Sequence, residues 1–477
     1  MDATDLQPYL HQLSQYYASG ATRPYSFRIQ QLQALKNALL KNEQAIYDAL
    51  HQDLGKSAEE SWVTEIGFTI GEINFSLKHL KKWMQPQKVG TNLMNLPSRS
   101  YVYKEPLGVV LIIGAWNYPL QLLLSPLVGA IAAGNVAVLK PSEQAPATAA
   151  VLEQIIAETF APEYIKLVQG DGAQVVPALM NHFRFNHVFY TGSTSVGKLI
   201  YKMAAESLVP VTLELGGKSP CVVEADANIK IAARRIALTK FSNAGQMCVA
   251  PDYVLVHHSK KEALVKALGE TIRQFFTHEP SSSASYGRII NERQFNRLVN
   301  YLQHGKVVWG GKHDAATRFI EPTLLVDVDV ETAVMGDEIF GPLLPILSFE
   351  TAEEAKAIIA RNPSPLAFYL FTESGEREQQ WIRDIPFGGG CINNASWHLT
   401  NPRLPFGGRD SSGIGAYHGA HSFDVFSHKK AVMKTPTWFD PKIKYPPFTG
   451  KLSLFKKVRY VLKMFQNPFN VFVCKRT

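Results

Sequence analysis

Cysteine is scarce in this chain: four in 477 residues, at positions 221, 248, 391 and 474, with no C-x-x-C pair and no metal-ligand spacing. That usage excludes a disulfide framework and a zinc-type site and suits a reducing, cytoplasmic location. The opening Met1-Asp-Ala-Thr-Asp5 has no basic n-region and no apolar h-region, so no secretory signal is expected. Low-complexity tracts and internal repeats are also missing. Charge is missing from positions 106–139, a run long enough to suggest a membrane span. Asn117, Pro119, Pro126, Gly134 and Asn135 interrupt it, however. It divides more naturally into a strand at 109–114, a helix from about 119 to 133 and a strand at 136–139. A buried βαβ unit has this composition because its strands are covered on both faces. Acid is missing from 441–477, which hold nine Lys or Arg, so the net charge of +8 belongs to that tail. The rest of the chain is nearly neutral, which excludes a diffuse nucleic-acid-binding surface.

What is present is a body with 46% hydrophobic residues, enough for two or three domains with a sizeable core. Ile29, Leu32, Leu35, Leu39 and Ile46 recur at helical spacing within a helical region at 26–84. Helix 144–160, strand 164–168, strand 185–190, and strands 211–215 and 221–223 continue an open α/β sheet of the nucleotide-binding kind. A second α/β region begins near residue 228.

The chemistry centres on Cys248, in Phe241-Ser-Asn-Ala-Gly-Gln-Met-Cys248. A thiol there attacks a carbonyl carbon once it is ionised or paired with a base. The candidate base is Glu214, 34 residues upstream in Leu213-Glu-Leu-Gly216-Gly217-Lys-Ser-Pro220. Gly216 and Gly217 allow a tight turn and a close backbone approach to a ligand. Asn117 is the candidate side-chain donor to an oxyanion, with the Cys248 N–H as the second, although Asn117 also suits a helix cap. Gly192-Ser193-Thr-Ser-Val-Gly197-Lys198 lies between a strand and a helix, whose free N–H groups suit a pyrophosphate. It nearly spells a Walker A loop, but Leu199 replaces the hydroxyl that would hold magnesium. Lys140 and Glu143 follow a strand, where a sheet's carboxyl edge meets its ligand. No metal is required. Cys221 and Cys391 read as inert buried hydrophobes.

These segments closely resemble the aldehyde dehydrogenase family over about residues 25–435, together with Trp116-Asn-Tyr-Pro119, Leu139-Lys-Pro-Ser-Glu143, Glu338-Ile-Phe-Gly-Pro342 and Pro405-Phe-Gly-Gly408. Gly415-Ala-Tyr-His-Gly419 and Ser422-Phe-Asp424 are similar to its class 3, fatty-aldehyde branch. The resemblance implies oxidation of an aldehyde to a carboxylic acid through a cysteine thiohemiacetal and thioester. It implies NAD as cofactor, with NADP as the second candidate. Lys140 and Glu143 would then hold the adenosine ribose, Ser193 a phosphate, and Glu338 and Phe340 the nicotinamide end, with Trp116, Gly192, Gly197 and Gly216 also lining the cofactor site. The implied domains are a Rossmann-like cofactor domain (1–85 and 104–213), an α/β catalytic domain (214–396) and a small β oligomerisation flap (86–103 and 397–435), in a homodimer.

Residues 436–477 form the basic tail. Leu454, Phe455, Val458, Val461, Leu462 and Phe465 share one helical face, opposite Lys456, Arg459 and Lys463. Such a helix, with Phe469, Phe472 and Val473 beyond it, lies in a membrane interface through 452–473 or folds back on the protein's own surface. A peripheral site at the cytoplasmic membrane face suggests an apolar substrate: a medium- or long-chain aliphatic, aromatic or apocarotenoid aldehyde. The alternatives are a thiol esterase or acyl-transfer enzyme without redox, a CoA-acylating relative, and a non-catalytic binding protein.

Overall fold

The computed structural model describes residues 3–457. They form two compact units, one of 3–83 with 106–427 and one of 84–105 with 428–457. In the larger unit, Val109–Ile113, Val136–Lys140 and His187–Thr191 are buried along their whole length, and apart from Lys140, His187 and Thr191 they are apolar. Strands of this kind need cover on each side, and parallel crossover helices supply it. The resulting sheet runs, in spatial order, Gly413–Ile414, Val211–Glu214, His187–Thr191, Val109–Ile113, Val136–Lys140, Ile165–Leu167. All neighbours are parallel except Gly413–Ile414, which pairs antiparallel with Val211–Glu214.

Strand order reverses beside Val109–Ile113: the chain first builds outward to Ile165–Leu167, then crosses to His187–Thr191 on the other side. In such sheets the ligand crevice opens at the carboxyl ends of the strands flanking this reversal. The turns that leave those two ends carry Trp116-Asn117 and Gly192-Ser193. The charge-free run is indeed strand, helix Gln121–Ala133 and strand; all thirteen residues of that helix are buried. Among the described residues no helix is long and apolar enough to cross a membrane.

The second sheet has the order Lys306–Trp309, Thr323–Val326, Leu343–Phe349, Tyr253–His257, Pro220–Val223, Ala367–Phe371, Gly389–Ile392. The sequence reading continues the first sheet through 221–223, but the strand there, Pro220–Val223, pairs with Tyr253–His257 and Ala367–Phe371 of the second. The chain changes sheets at Gly216-Gly217, where Gly217 has φ +156°, so Glu214 ends one sheet only six residues before the next begins. A first helix, Ala3–Ala18, lies ahead of the helical region expected from the sequence.

In the smaller unit, Gln87–Val89, Arg99–Pro106 and Ser427–Lys434 form a three-stranded sheet. The flap is expected over 86–103 and 397–435. Gly413–Ile414 is held by ladder bonds to Val211–Glu214 in the larger unit. Within the tail, a helix occupies 452–457, while Val458 and the rest of the amphipathic face lie outside the described residues.

Candidate active site

The candidate residues lie along one line, joined by contacts, by electrostatics and by adjacency in the chain. It begins at Lys140, buried at the end of its strand, whose Nζ donates to Glu143 Oε2 at 2.9 Å and to the Pro141 carbonyl at 2.7 Å. Glu143 acts electrostatically on Tyr190, whose hydroxyl abuts Gly192. The Gly192 N–H donates to the Glu214 carbonyl at 3.0 Å. Ser193 caps the helix Thr194–Glu206, its Oγ accepting the Val196 N–H at 3.4 Å. Gly197 faces Leu215 so closely that a Cβ would clash, which lets this helix pack against the strand end that carries Glu214.

From Glu214 the line continues to Gly216, where a Cβ would strike the Glu338 carboxylate. The Gly217 N–H donates to that carboxylate. Two bonds to Asp252 fix the Glu338 loop: buried Lys218 pairs with Asp252 at 2.5 Å, and the Ile339 N–H donates to Asp252 Oδ1 at 3.0 Å. Phe340, at φ +50°, meets the Trp116 ring edge-on with centroids 5.2 Å apart. Asn117 is buried, and its Nδ2 donates to the Gln246 carbonyl at 3.1 Å, two residues before Cys248.

The Cys248 loop is unusual backbone. Asn243, Ala244 and Gly245 have φ of +49°, +51° and +75°. Two non-glycine residues in the left-handed region are strained and persist only where their surroundings over-determine them. Here the Gln246 side chain does so: Nε2 donates to the Asn243 and Arg288 carbonyls at 3.0 and 2.9 Å, and Oε1 accepts the Ile290 N–H at 3.0 Å.

Electrostatically the site is acidic. Burial raises the pKa of the half-buried Cys248 thiol, and Glu338 and then Glu214 raise it further; the N–H groups of Cys248 and Val249 lower it. Burial alone raises Glu214 well above the usual carboxylate range, and neither of its oxygens has a hydrogen-bond partner. Glu338 is pushed up to about 8, by burial and then by Asp252. Burial therefore favours the protonated form of both the thiol and Glu214. A buried carboxyl raised above its usual range is a candidate general base.

Several outcomes differ from the sequence reading. Cys221 is fully buried as expected. Cys391 is half exposed instead, with Sγ 3.6 Å from His398 Nδ1, because Gly389–Ile392 is the edge strand of its sheet. His418 is buried against Glu72, Nδ1 to Oε1 at 3.2 Å. Lys56, Glu60, Glu65, Asn243 and Gln246 all reach the site without being candidates from sequence; only Asn243-Ala-Gly245, a turn-type spacing, leaves a trace there. A cavity of about 460 Å³ lined by Ile231, Arg234, Arg235, Leu238, Phe275, Asn394 and Trp397 contains none of the site residues.

A half-buried thiol, a carboxyl without a hydrogen-bond partner and a glycine-lined crevice at a strand-order reversal are the parts that a thiol-dependent, dinucleotide-using oxidoreductase needs. Comparison with known proteins is more specific. A profile described as "Aldehyde dehydrogenase family" matches residues 9–432. The chain is 46% identical over 443 residues to 4,4'-diaponeurosporen-aldehyde dehydrogenase of Staphylococcus aureus, covering 92% of this chain and 96% of that one. It is 41% identical over 438 residues to the mouse "Aldehyde dehydrogenase, dimeric NADP-preferring", covering 91% and 96%. A substrate-bound Staphylococcus aureus structure superposes with a TM-score of 0.93 at 45% identity, covering 95% and 99%. The chain belongs to the aldehyde dehydrogenase family, in its class 3-like branch. It is an enzyme that oxidises aldehydes.

Proposed function

We propose that this chain oxidises apolar aldehydes, with Cys248 as nucleophile, Asn117 and the Cys248 N–H as oxyanion donors, and Glu214 as the base that hydrolyses the thioester. The observation that carries this reading is that Asn117 bonds the Gln246 carbonyl on the Cys248 loop while the Glu338 and Glu214 carboxyls both act electrostatically on the thiol. The Cys248 thiolate attacks the carbonyl carbon, and the Asn117 amide, one of its hydrogens already committed to Gln246, directs the other at the developing oxyanion. Glu214, ionised, takes a proton from the water that attacks the acyl carbon, and the thiolate leaves.

The oxidant is NAD, with NADP as the second candidate. Two features support a dinucleotide in the crevice: Gly216, lacking a Cβ, lets the Glu338 carboxylate come against the backbone there, and Glu338 Oε1 is enclosed with no partner. Lys140 and Glu143 would hold the adenosine ribose, Gly192, Ser193 and Gly197 the phosphates, and Glu338, Phe340, Trp116 and Gly216 the nicotinamide end. When bound, the nicotinamide supplies a positively charged hydride acceptor. A Glu143 carboxylate accepts hydrogen bonds from ribose hydroxyls and repels a 2′-phosphate, which supports NAD, while Lys140 softens that preference. We place the cofactor domain in 1–85 and 104–213, the catalytic domain in 214–396, and oligomerisation in the small sheet. The mouse relative's name includes the word dimeric, which supports a homodimer.

Two features support an apolar substrate. The Staphylococcus aureus relative is named for an apocarotenoid aldehyde. Trp438, Phe439, Tyr445, Phe448, Leu452, Leu454 and Phe455 are all exposed within a basic stretch, as a peripheral membrane contact requires. In a panel of aldehydes of rising chain length, kcat/KM is expected to rise from acetaldehyde towards decanal by about fourfold for each methylene buried, at about 0.8 kcal/mol per CH₂; a preference for acetaldehyde refutes the apolar reading. The full chain is expected to float with vesicles containing anionic lipid while a 1–440 truncation stays in the soluble fraction. Equal partitioning of the two ends the membrane reading.

A further inference from the structure

The segment Lys56–Ile66 belongs to the N-terminal helical region, far in sequence from either half of the proposed oxyanion site, yet it bonds to both. Lys56 is 1% exposed. Its Nζ donates to Glu65 Oε1 at 2.6 Å and to the Asn117 backbone carbonyl at 3.1 Å, and it lies 4.0 Å from the centroid of the Tyr118 ring. The other oxygen of Glu65 accepts the N–H groups of Leu120 and Gln121 at 3.0 and 3.1 Å, at the start of the helix that follows Asn117. One buried ion pair thus grips the Asn117 turn on both sides. Glu60 grips the other half: its Oε1 accepts the Asn243 N–H at 2.7 Å, at the first left-handed residue of the Cys248 loop. Asn243 closes the ring, its Nδ2 donating to the Asn117 carbonyl at 2.8 Å and to the Gln246 carbonyl at 3.0 Å.

The backbone explains how two glutamates five apart serve one site. In an α-helix, residues i and i+5 point about 140° apart. Between Glu60 and Glu65 the helix Ala58–Ser61 passes into a π-turn, Trp62–Ile66. The wider i→i+5 turn brings such residues toward one face, and π-turns are frequent at functional sites. Lys56 offsets the charge of both carboxyls, acting electrostatically on Glu60 while paired with Glu65.

We propose that Lys56, Glu65 and Glu60 are positioning residues that form a clamp, fixing the distance between the Asn117 amide and the Cys248 loop so that both oxyanion donors meet one oxygen. The clamp touches neither substrate nor cofactor, and the proposal rests on the reading of Asn117 as an oxyanion donor.

A double-mutant cycle tests it on the full-length enzyme with NAD and decanal, read as the pre-steady-state rate of NADH formation. Lys56→Met/Glu65→Gln removes the grip on the Asn117 carbonyl and both charges of the ion pair together, Glu60 keeps its bond to the Asn243 N–H, and the amide oxygen introduced by Glu65→Gln still accepts the helix N–H groups. The burst is expected to slow about ten- to hundredfold, as a displacement of about 1 Å at a reacting group can cost, with the NAD dissociation constant and far-UV circular dichroism unchanged. In an Asn117→Ala background, the same pair of changes is expected to cost less than about twofold, because the group being positioned is gone. An equal cost in both backgrounds overturns the clamp and assigns the pair to structure alone. A wild-type burst in Lys56→Met/Glu65→Gln also overturns it. If Asn117→Ala by itself keeps the wild-type rate, the oxyanion reading falls and the clamp with it. Should the double variant not fold, Lys56→Gln takes its place in the same cycle, with the same outcomes.

Discussion

Cys248→Ala lowers aldehyde-dependent NADH formation by on the order of 10⁴-fold or more, to background, while the enzyme still binds NAD. The change removes a single sulfur. The loop around it is held by groups that alanine leaves intact: Gln246 bonds the Asn243 and Arg288 carbonyls and the Ile290 N–H, and Asn117 bonds the Gln246 carbonyl. The crevice residues lie on other segments, at Lys140, Glu143, Gly192, Ser193 and Glu338, so cofactor affinity changes by less than about threefold. Steady-state turnover and NAD fluorescence titration on the same preparation check both halves. Residual turnover at even about 1% of wild type, with contaminating wild-type protein excluded by mass, removes Cys248 from the mechanism.

Glu214→Gln slows release of the acyl group most, by about 10² to 10⁴-fold in steady-state rate, the usual worth of a positioned general base. The initial burst of NADH persists. Glutamine has nearly the same shape, and Glu214's oxygens make no hydrogen bond to lose, so the fold should tolerate it. The pH dependence follows from the raised carboxyl. Burial keeps Glu214 protonated well above the usual carboxylate range. Only its ionised form accepts a proton, so wild-type deacylation climbs as pH rises through that displaced pKa. The variant lacks the group, and its slow deacylation loses that limb of the profile. Stopped-flow absorbance across a pH series reads both effects. If the burst vanishes as well, Glu214 serves to ionise the thiol; if the burst survives and the limb is kept, another base hydrolyses the thioester.

The parts of the site that depend on local chemistry are readable along the chain. Cys248 stands out by its flanks, Glu214 by the glycines after it, and Gly192-Ser193 by sitting between a strand and a helix. Strand and helix bounds in the first sheet follow from apolar runs broken by glycine, asparagine and proline, because buried parallel strands permit little else. What cannot be read is long-range. Lys56, Glu60 and Glu65 occupy ordinary helical positions, and their contacts with the site lie between 55 and 183 residues away. No periodicity signals a π-turn. The transfer of Pro220–Val223 to the second sheet is invisible because a buried strand carries the same pattern in either one. Cys391 reads as buried along the chain and is not, because an edge position depends on sheet order, which sequence alone does not state.

The most direct test is to quench Glu214→Gln enzyme in acid during turnover with NAD and decanal, digest it, and weigh the peptide that holds Cys248. The account predicts that most of this peptide carries one decanoyl group on the sulfur, and that none forms when NAD is left out. An unmodified Cys248 peptide during a visible NADH burst, or the acyl group on Cys391 instead, contradicts it.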